Sequence, residues 1–315
     1  MTDTPFVRPD MQGLLDMLAA AGSPPITELS LEEARAAYGA LHQLADRPAR
    51  ELPVIRDLSC PGPAGEIPLR LYDARETREP GPVITFFHGG GFVIGDLDTH
   101  HALCTEIAAL ADLPVVAVHY ARAPEAPFPA AILDCEAAAR WVASSPEALG
   151  RAATGIVTMG DSAGGNASVA VSQLLGEAPA DVPVVLQVPI FPLIAPVEGT
   201  ASLAAFSEGF VLTAVAMEFF SASYAADPDD ARGFPILGDH AKAPPSIVVT
   251  ASLDPIRDSG RAYAKALVDA GRDVVFIEAR GVTHSFVNLR QAVPSAQKDL
   301  ERIVAAMRFM LENPA

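Results

Sequence analysis

The chain has 315 residues with 39 acidic and 22 basic side chains, a formal net charge of −17 at pH 7. That balance argues against nucleic acid or an anionic membrane surface as a partner, since both would repel it. Half of the residues are hydrophobic, enough for a large buried core in one α/β unit. No uninterrupted apolar run reaches the roughly 18 residues that a bilayer span needs. Cys60, Cys104 and Cys135 lie far apart without metal-ligand spacing and are expected to be reduced core thiols. The opening "MTDTPFVRPDMQGLL" lacks the apolar stretch of a signal peptide, so a cytoplasmic location is expected.

Two helical patterns come first, "DMQGLLDMLAAAG" and "SLEEARAAYGALHQLA", the second with Ser30 and Glu33 at capping-box spacing. Two strand-like runs follow, "LPVIRDLSC" and "EIPLRLYDA". Six short apolar runs then alternate with helical patterns: "PVITFFH", "LPVVAVHY", "TGIVTMG", "VPVVLQVPI", "SIVVTASLD" and "DVVFIEARG". Helices are expected near 100–112, 130–144, 164–177, 257–270 and 295–312. Runs this apolar suit strands buried on both faces, with helices as right-handed crossovers. The fold class is α/β, a mostly parallel central sheet flanked by helices. Residues 1–46 and 192–232 stand outside the alternation. Phe206, Phe210, Phe219, Phe220 and Tyr224 fall in the second stretch at mixed helical spacings. They are read either as helix packing or as part of a lid lining an apolar pocket.

In an open parallel sheet, ligands bind beyond the carboxyl ends of the strands, and four motifs fall at such ends. "FFHGGGF" puts Gly89, Gly90 and Gly91 after an apolar run, where N–H groups can converge on an oxyanion. A phosphate loop is the rival, but no lysine follows and the G-x-G-x-x-G spacing is absent. His88 is expected to brace this loop. "GDSAGG" sets Ser162 between strand and helix, as a nucleophile elbow requires. A bare Gly-x-Ser-x-Gly match arises by chance in roughly one chain in ten of this length, so its surroundings decide. "SLDPIRD" offers Asp254 to orient an imidazole, with Asp258 as competitor and ion pairing with Arg257 or Arg261 as its plainer role. "GVTHSF" offers His284 as general base. The other histidines lie in helices, in a polar loop, or at a strand end without a glycine-flanked loop. The chain order Ser, Asp, His is that of α/β-hydrolases.

On these residues the chain resembles the hormone-sensitive lipase family of α/β-hydrolases, in its bacterial esterase branch. "HGGGF" (88–92) and "GDSAGG" (160–165) match that family's two signatures. "HYARAPEAPFPAAILDC" (119–135) is similar to its Tyr-Arg-Leu-Ala-Pro-Glu stretch, "DPIRD" (254–258) to its acid motif, and "FVRPDMQGLLDML" to its N-terminal cap. The chain departs where Ser285 stands for the family's usual glycine, and where "YARAP" moves the arginine one place to Arg122. The resemblance implies an α/β-hydrolase fold with a helical cap. Residues 1–46 and 192–232 would be the two parts of the cap, and 47–191 and 233–315 the catalytic core. It further implies Ser162 as nucleophile, His284 as base, Asp254 as acid, and Gly89, Gly90 and Ala163 as oxyanion donors. Phe92, Phe191, Phe210, Val211 and Phe286 are expected around the substrate. The implied activity is hydrolysis of short- to medium-chain carboxylic esters with water, through an acyl-enzyme and without metal or organic cofactor. Family members frequently dimerise through the last strand and helix. An amidase, lactonase or aryl-ester hydrolase on the same triad is the alternative enzyme, and a non-hydrolytic ligand-binding receptor the alternative of another class.

Overall fold

The computed structural model describes residues 5–314; Met1–Thr4 and Ala315, the ends of two of the expected segments, lie outside the described residues. Helices α1 (Pro9–Ala21) and α2 (Leu31–Ala45) open the chain. Strands β1 (Val54–Pro61), β2 (Glu66–Asp73) and β3 (Gly81–Phe87) follow, then α3 (His101–Ala111), β4 (Val115–Val118) and α4 (Ala130–Ala143). Next come β5 (Ala153–Asp161), α5 (Ala163–Glu177), β6 (Val184–Ile190), α6 (Ala201–Phe206) and α7 (Ala214–Tyr224). The chain closes with β7 (Ser246–Leu253), α8 (Arg257–Asp269), β8 (Val274–Thr283) and α9 (Ala296–Glu312). The eight strands form one sheet in the order β1-β2-β4-β3-β5-β6-β7-β8. Its β1–β2 and β2–β4 pairs are antiparallel and the others parallel.

Burial follows from the alternation of side chains along each strand. Ile84, Phe86, Val115, Ala117, Val157, Met159, Leu186 and Val188 face α3 and α9, where Leu103, Ile107, Leu300, Ile303 and Met307 meet them. Val83, Phe87, Val116, Val118 and Ile156 point the other way, onto Ile132, Cys135 and Val142 of α4 and Ala167, Ala170 and Val171 of α5. Each such fully buried aliphatic or aromatic side chain is worth roughly 1.5–3 kcal/mol of transfer free energy. Central β4 is buried throughout, whereas edge strand β1 is exposed at alternating positions. That contrast is why the central runs read as continuous and the first two as patterned.

The N-terminal helices are bound tightly to this frame. The capping box expected at Ser30 and Glu33 starts α2. At its other end the buried Asp46 carboxylate takes both Nε and Nη2 of Arg290, each at 2.7 Å, and Ala45 O accepts the N–H groups of Gln291 and Ala292. Before α1, Arg8 pairs with Asp299 and donates to Arg280 O, while Asp10 accepts from Ser295 N at 2.8 Å. The second outlying stretch has no ion pair to this frame among the described residues and is held by hydrogen bonds. Ser202 N of α6 donates to Asp258 Oδ2 (2.9 Å), and Tyr224 O of α7 accepts from Phe128 N (2.9 Å). Among the described residues no helix is long and apolar enough to cross a membrane.

Candidate active site

Four strands deliver their next residue to one edge of the sheet: His88 after β3, Ser162 after β5, Asp254 after β7 and His284 after β8. Ser162 sits at φ 55° and ψ −116°, a conformation L-residues seldom take. The turn is possible because strand and helix touch backbone to backbone there. A Cβ at Gly160 would lie 2.5 Å from Phe87 O, and one at Gly164 would collide with the same oxygen. Ser162 N–H donates to Ile190 O at 2.9 Å, which fixes the turn against β6.

The serine hydroxyl lies 2.8 Å from His284 Nε2, and His284 Nδ1 lies 2.8 Å from Asp254 Oδ2. A carboxylate only accepts, so Nδ1 carries the proton and Nε2 is left as the acceptor for the Ser162 hydroxyl. Asp254 has no exposed surface, and its Oδ1 accepts from Ile256 N at 3.0 Å. Phe191, in a left-handed backbone conformation at φ 35°, places its ring 4.7 Å from the His284 imidazole. Asp258 is elsewhere: it pairs with Arg257 and Arg261 and holds Ser202 N. This arrangement can transfer a proton from a hydroxyl to an imidazole whose other side is held by a buried carboxylate.

The glycine loop departs from expectation at Gly89. Its N–H donates to the buried Asp161 carboxylate (2.9 Å to Oδ1), so it is not free to meet an oxyanion. The N–H groups of Gly90 and Gly91 have no hydrogen-bond partner among the described residues, and neither does that of Ala163 at the start of α5. Gly90 and Gly91 have φ 115° and 61°, and a Cβ on Gly91 would collide with the Phe220 ring. His88 braces the loop: its Nδ1 lies 2.8 Å from Gly89 O, its ring stacks 4.1 Å from Tyr120, and Tyr120 OH donates to His88 O. Arg122 reaches the far end of the same loop, donating to Gly95 O at 2.7 Å. Burial drives the His88 pKa down to about 3, with the nearby His100 acting in the same direction.

The residues expected around the substrate divide into two groups. Phe286 has no exposed surface and Phe191 almost none; the two rings pack 5.4 Å apart, the Phe191 ring against His284. Phe92 stacks 4.1 Å from Tyr224 and is also nearly enclosed. Phe210 and Val211 remain partly exposed, Phe210 edge-on to Phe206 at 5.3 Å. Phe220, read earlier only as one aromatic in a mixed pattern, lies directly over Gly91. Asp161, His100 and Asn288 also escaped the sequence reading.

With this geometry in place, comparison with known proteins adds the family. A family profile described as alpha/beta hydrolase fold matches residues 84–288. The ethyl acetate hydrolase of Pseudomonas putida is 34% identical over 314 residues, covering 96% of this chain and 98% of its own. Carboxylesterase NlhH of Mycobacterium tuberculosis is 34% identical, with 99% of each chain covered. A crystal structure of an alpha/beta hydrolase enzyme from the metagenome of Lake Arreo superposes with a TM-score of 0.92 at 32% identity, covering 98% of this chain and 99% of that one. The chain therefore belongs to the alpha/beta-hydrolase family and, within it, to the hormone-sensitive-lipase-like esterases.

Proposed function

We propose that the protein hydrolyses short- to medium-chain carboxylic esters by acyl transfer through Ser162. The Ser162 hydroxyl attacks the ester carbonyl while His284 Nε2 takes its proton. The imidazolium then protonates the departing alcohol, and the acyl group remains on Ser162 Oγ. Water, deprotonated by His284, releases the acid and restores the serine. Asp254 keeps Nδ1–H in place and stabilises the charged ring. Gly90, Gly91 and Ala163 donate to the oxyanion, the last with the help of the α5 dipole. The observation that carries this reading is the unbroken chain from Asp254 Oδ2 through His284 to Ser162 Oγ, with 2.8 Å at both steps.

Residues 192–232, with Phe210, Val211 and Phe220, form the lid that meets the acyl chain or the alcohol, and α1 and α2 complete the cap. The name of one relative, an ethyl acetate hydrolase, supports a small ester as substrate. A homodimer through edge strand β8 and α9 accounts for the exposed Phe276 and Phe309; a monomer in sedimentation equilibrium would exclude it. Three unpaired cysteine thiols fit a cytoplasmic location. The central test is hydrolysis of p-nitrophenyl acetate and butyrate. Turnover is expected from the parent and none above background from Ser162→Ala; undiminished turnover in that variant removes the assignment.

A further inference from the structure

Asp161 has no part in the proton transfers, yet it adjoins Ser162 and binds both the glycine loop and the turn after His284. It is the last residue of β5 and so immediately precedes Ser162. Its carboxylate, 1% exposed, accepts from Gly89 N in the glycine loop and lies 3.1 Å from His100 Nε2 at the head of α3. Its other oxygen accepts from Asn288 Nδ2 at 3.2 Å, in the turn just beyond His284. His100 is itself tied through Nδ1 to Thr99 Oγ1 at 2.9 Å. Gly89 is in close contact with this group: a Cβ there would run into the Asp161 carboxylate.

Three consecutive glycines give a loop the widest conformational freedom of any tripeptide, while an oxyanion site works only if its donors are already aimed. Something outside the loop must hold it. We infer that Asp161, with His100 and Asn288, is the positioning group of the oxyanion site: it seizes the Gly89 N–H so that the next two N–H groups, of Gly90 and Gly91, are presented beside Ser162. Gly89 is then the anchor of the loop rather than a donor to the substrate. Burial disfavours the charge on Asp161, but the neighbouring His100 outweighs it and holds the carboxyl below its ordinary range. The group therefore stays an acceptor for all of its donors at neutral pH. The inference rests on the acyl-transfer reading above.

Asp161→Asn tests it, because the neutral amide offers one acceptor oxygen where the carboxylate offers two to the Gly89 N–H, His100 and Asn288. Oxyanion donors act chiefly in the transition state, so kcat per phosphonate-titrated site should fall about 30-fold with KM changed by less than about threefold. The rate at which a p-nitrophenyl phosphonate labels Ser162 should fall in parallel, since its P–O group occupies the oxyanion position. Adding Asn288→Asp returns a carboxylate to the pair and should recover at least about tenfold in kcat. Should Asp161→Asn not fold, Asn288→Ala removes one donor and leaves the carboxylate, with a smaller loss of the same kind expected. Parent-like kcat per titrated site in the variant that folds, or no recovery in the double variant, overturns the assignment. If Ser162→Ala is inactive while these variants keep the parent's kcat, the positioning role alone is lost. Persisting activity in Ser162→Ala would bring down both.

Discussion

The two stretches outside the strand–helix alternation, described over 5–46 and 192–232, are fastened to the sheet differently. The first is locked in by charge and burial. Asp46 and Arg290 form an ion pair that is 4% and 1% exposed, Met11 has no exposed surface, and His42 sits 5.6 Å from the His100 ring. The second has no ion pair to the rest of the protein among the described residues; Ile194 and Ala195 N–H donate to Ser259 Oγ, Ser202 binds Asp258 and Pro255 O, and Ile194, Val197, Phe206 and Tyr224 are buried. Both were expected to be parts of one cap, but their contacts divide them. The N-terminal helices back the catalytic loops, since Arg290 follows the His284 turn and His100 contacts Asp161. The later stretch faces outward over Gly91. Changes tied to the first stretch or to the sheet should therefore alter rate and stability, and changes in the second should alter which ester is taken.

The largest test of that division uses two carboxylates four residues apart. Asp254 serves His284, while Asp258 serves Ser202 of the outward stretch. Asp254→Asn should lower kcat by roughly 10⁴-fold, as loss of the triad carboxylate does elsewhere. Asp258→Asn weakens two partly buried ion pairs and one bond to α6, none of which touches His284, and should change kcat by less than about tenfold. Steady-state kinetics on one p-nitrophenyl ester decides it, and the reverse ranking would hand the orienting role to Asp258.

Next in size is Asp46→Ala, which leaves the Arg290 guanidinium buried without its partner. One-sided loss of a buried pair costs about 3–5 kcal/mol, so thermal unfolding should shift down by several degrees. The relative rates on acetate, butyrate and hexanoate esters should stay as they were. A changed chain-length profile with unchanged Tm would reverse the division proposed for the two stretches. Phe220→Ala makes the complementary case. Removing the ring over Gly91 should favour longer acyl chains by about tenfold relative to acetate, the scale of one or two methylene contacts, with little loss of Tm. An unaltered profile would place the selectivity elsewhere in the lid.

The same division explains what could be read from the chain alone. The strands and the helices between them were legible because β3 to β7 are buried on both faces, which leaves short apolar runs separated by longer helical stretches. Ser162, Asp254 and His284 were legible because each is the first residue after a strand, in an order that few other folds share. The oxyanion loop was legible only in part. "HGGG" marks its place, but which N–H groups stay free depends on Asp161, whose motif announces only the serine beside it, and on Asn288, which carries no motif; both are distant in sequence from the loop. Ser285 follows the same rule. It adopts φ 66° at the position where the family usually has glycine, and nothing in its side chain announces that. The lid was the least legible part, because α6 and α7 are short and their aromatics take their burial from partners such as Phe92 and Gly91 that lie over a hundred residues earlier.

The smallest expected effect tests whether α2 belongs with the sheet. His42 is 3% exposed in the last turn of α2, with Tyr38 edge-on at 4.1 Å. Burial, reinforced by repulsion from His100, lowers its pKa to about 3. In the unfolded chain the ring titrates near 6.5. Between those values the unfolded state binds a proton that the folded state refuses, so stability is fully present above pH 6.5 and falls as the pH drops. His88 adds to the trend in the same direction, its pKa being about 3 as well. Over pH 6 to 5, above the titration of most carboxylates, His42→Gln should reduce the slope of unfolding free energy against pH by somewhat less than one proton, about 1 kcal/mol per unit. Urea denaturation at several pH values measures it. A slope equal to the parent's would mean that α2 lifts away and admits water to His42 before the sheet unfolds, and the N-terminal helices would then belong with the lid.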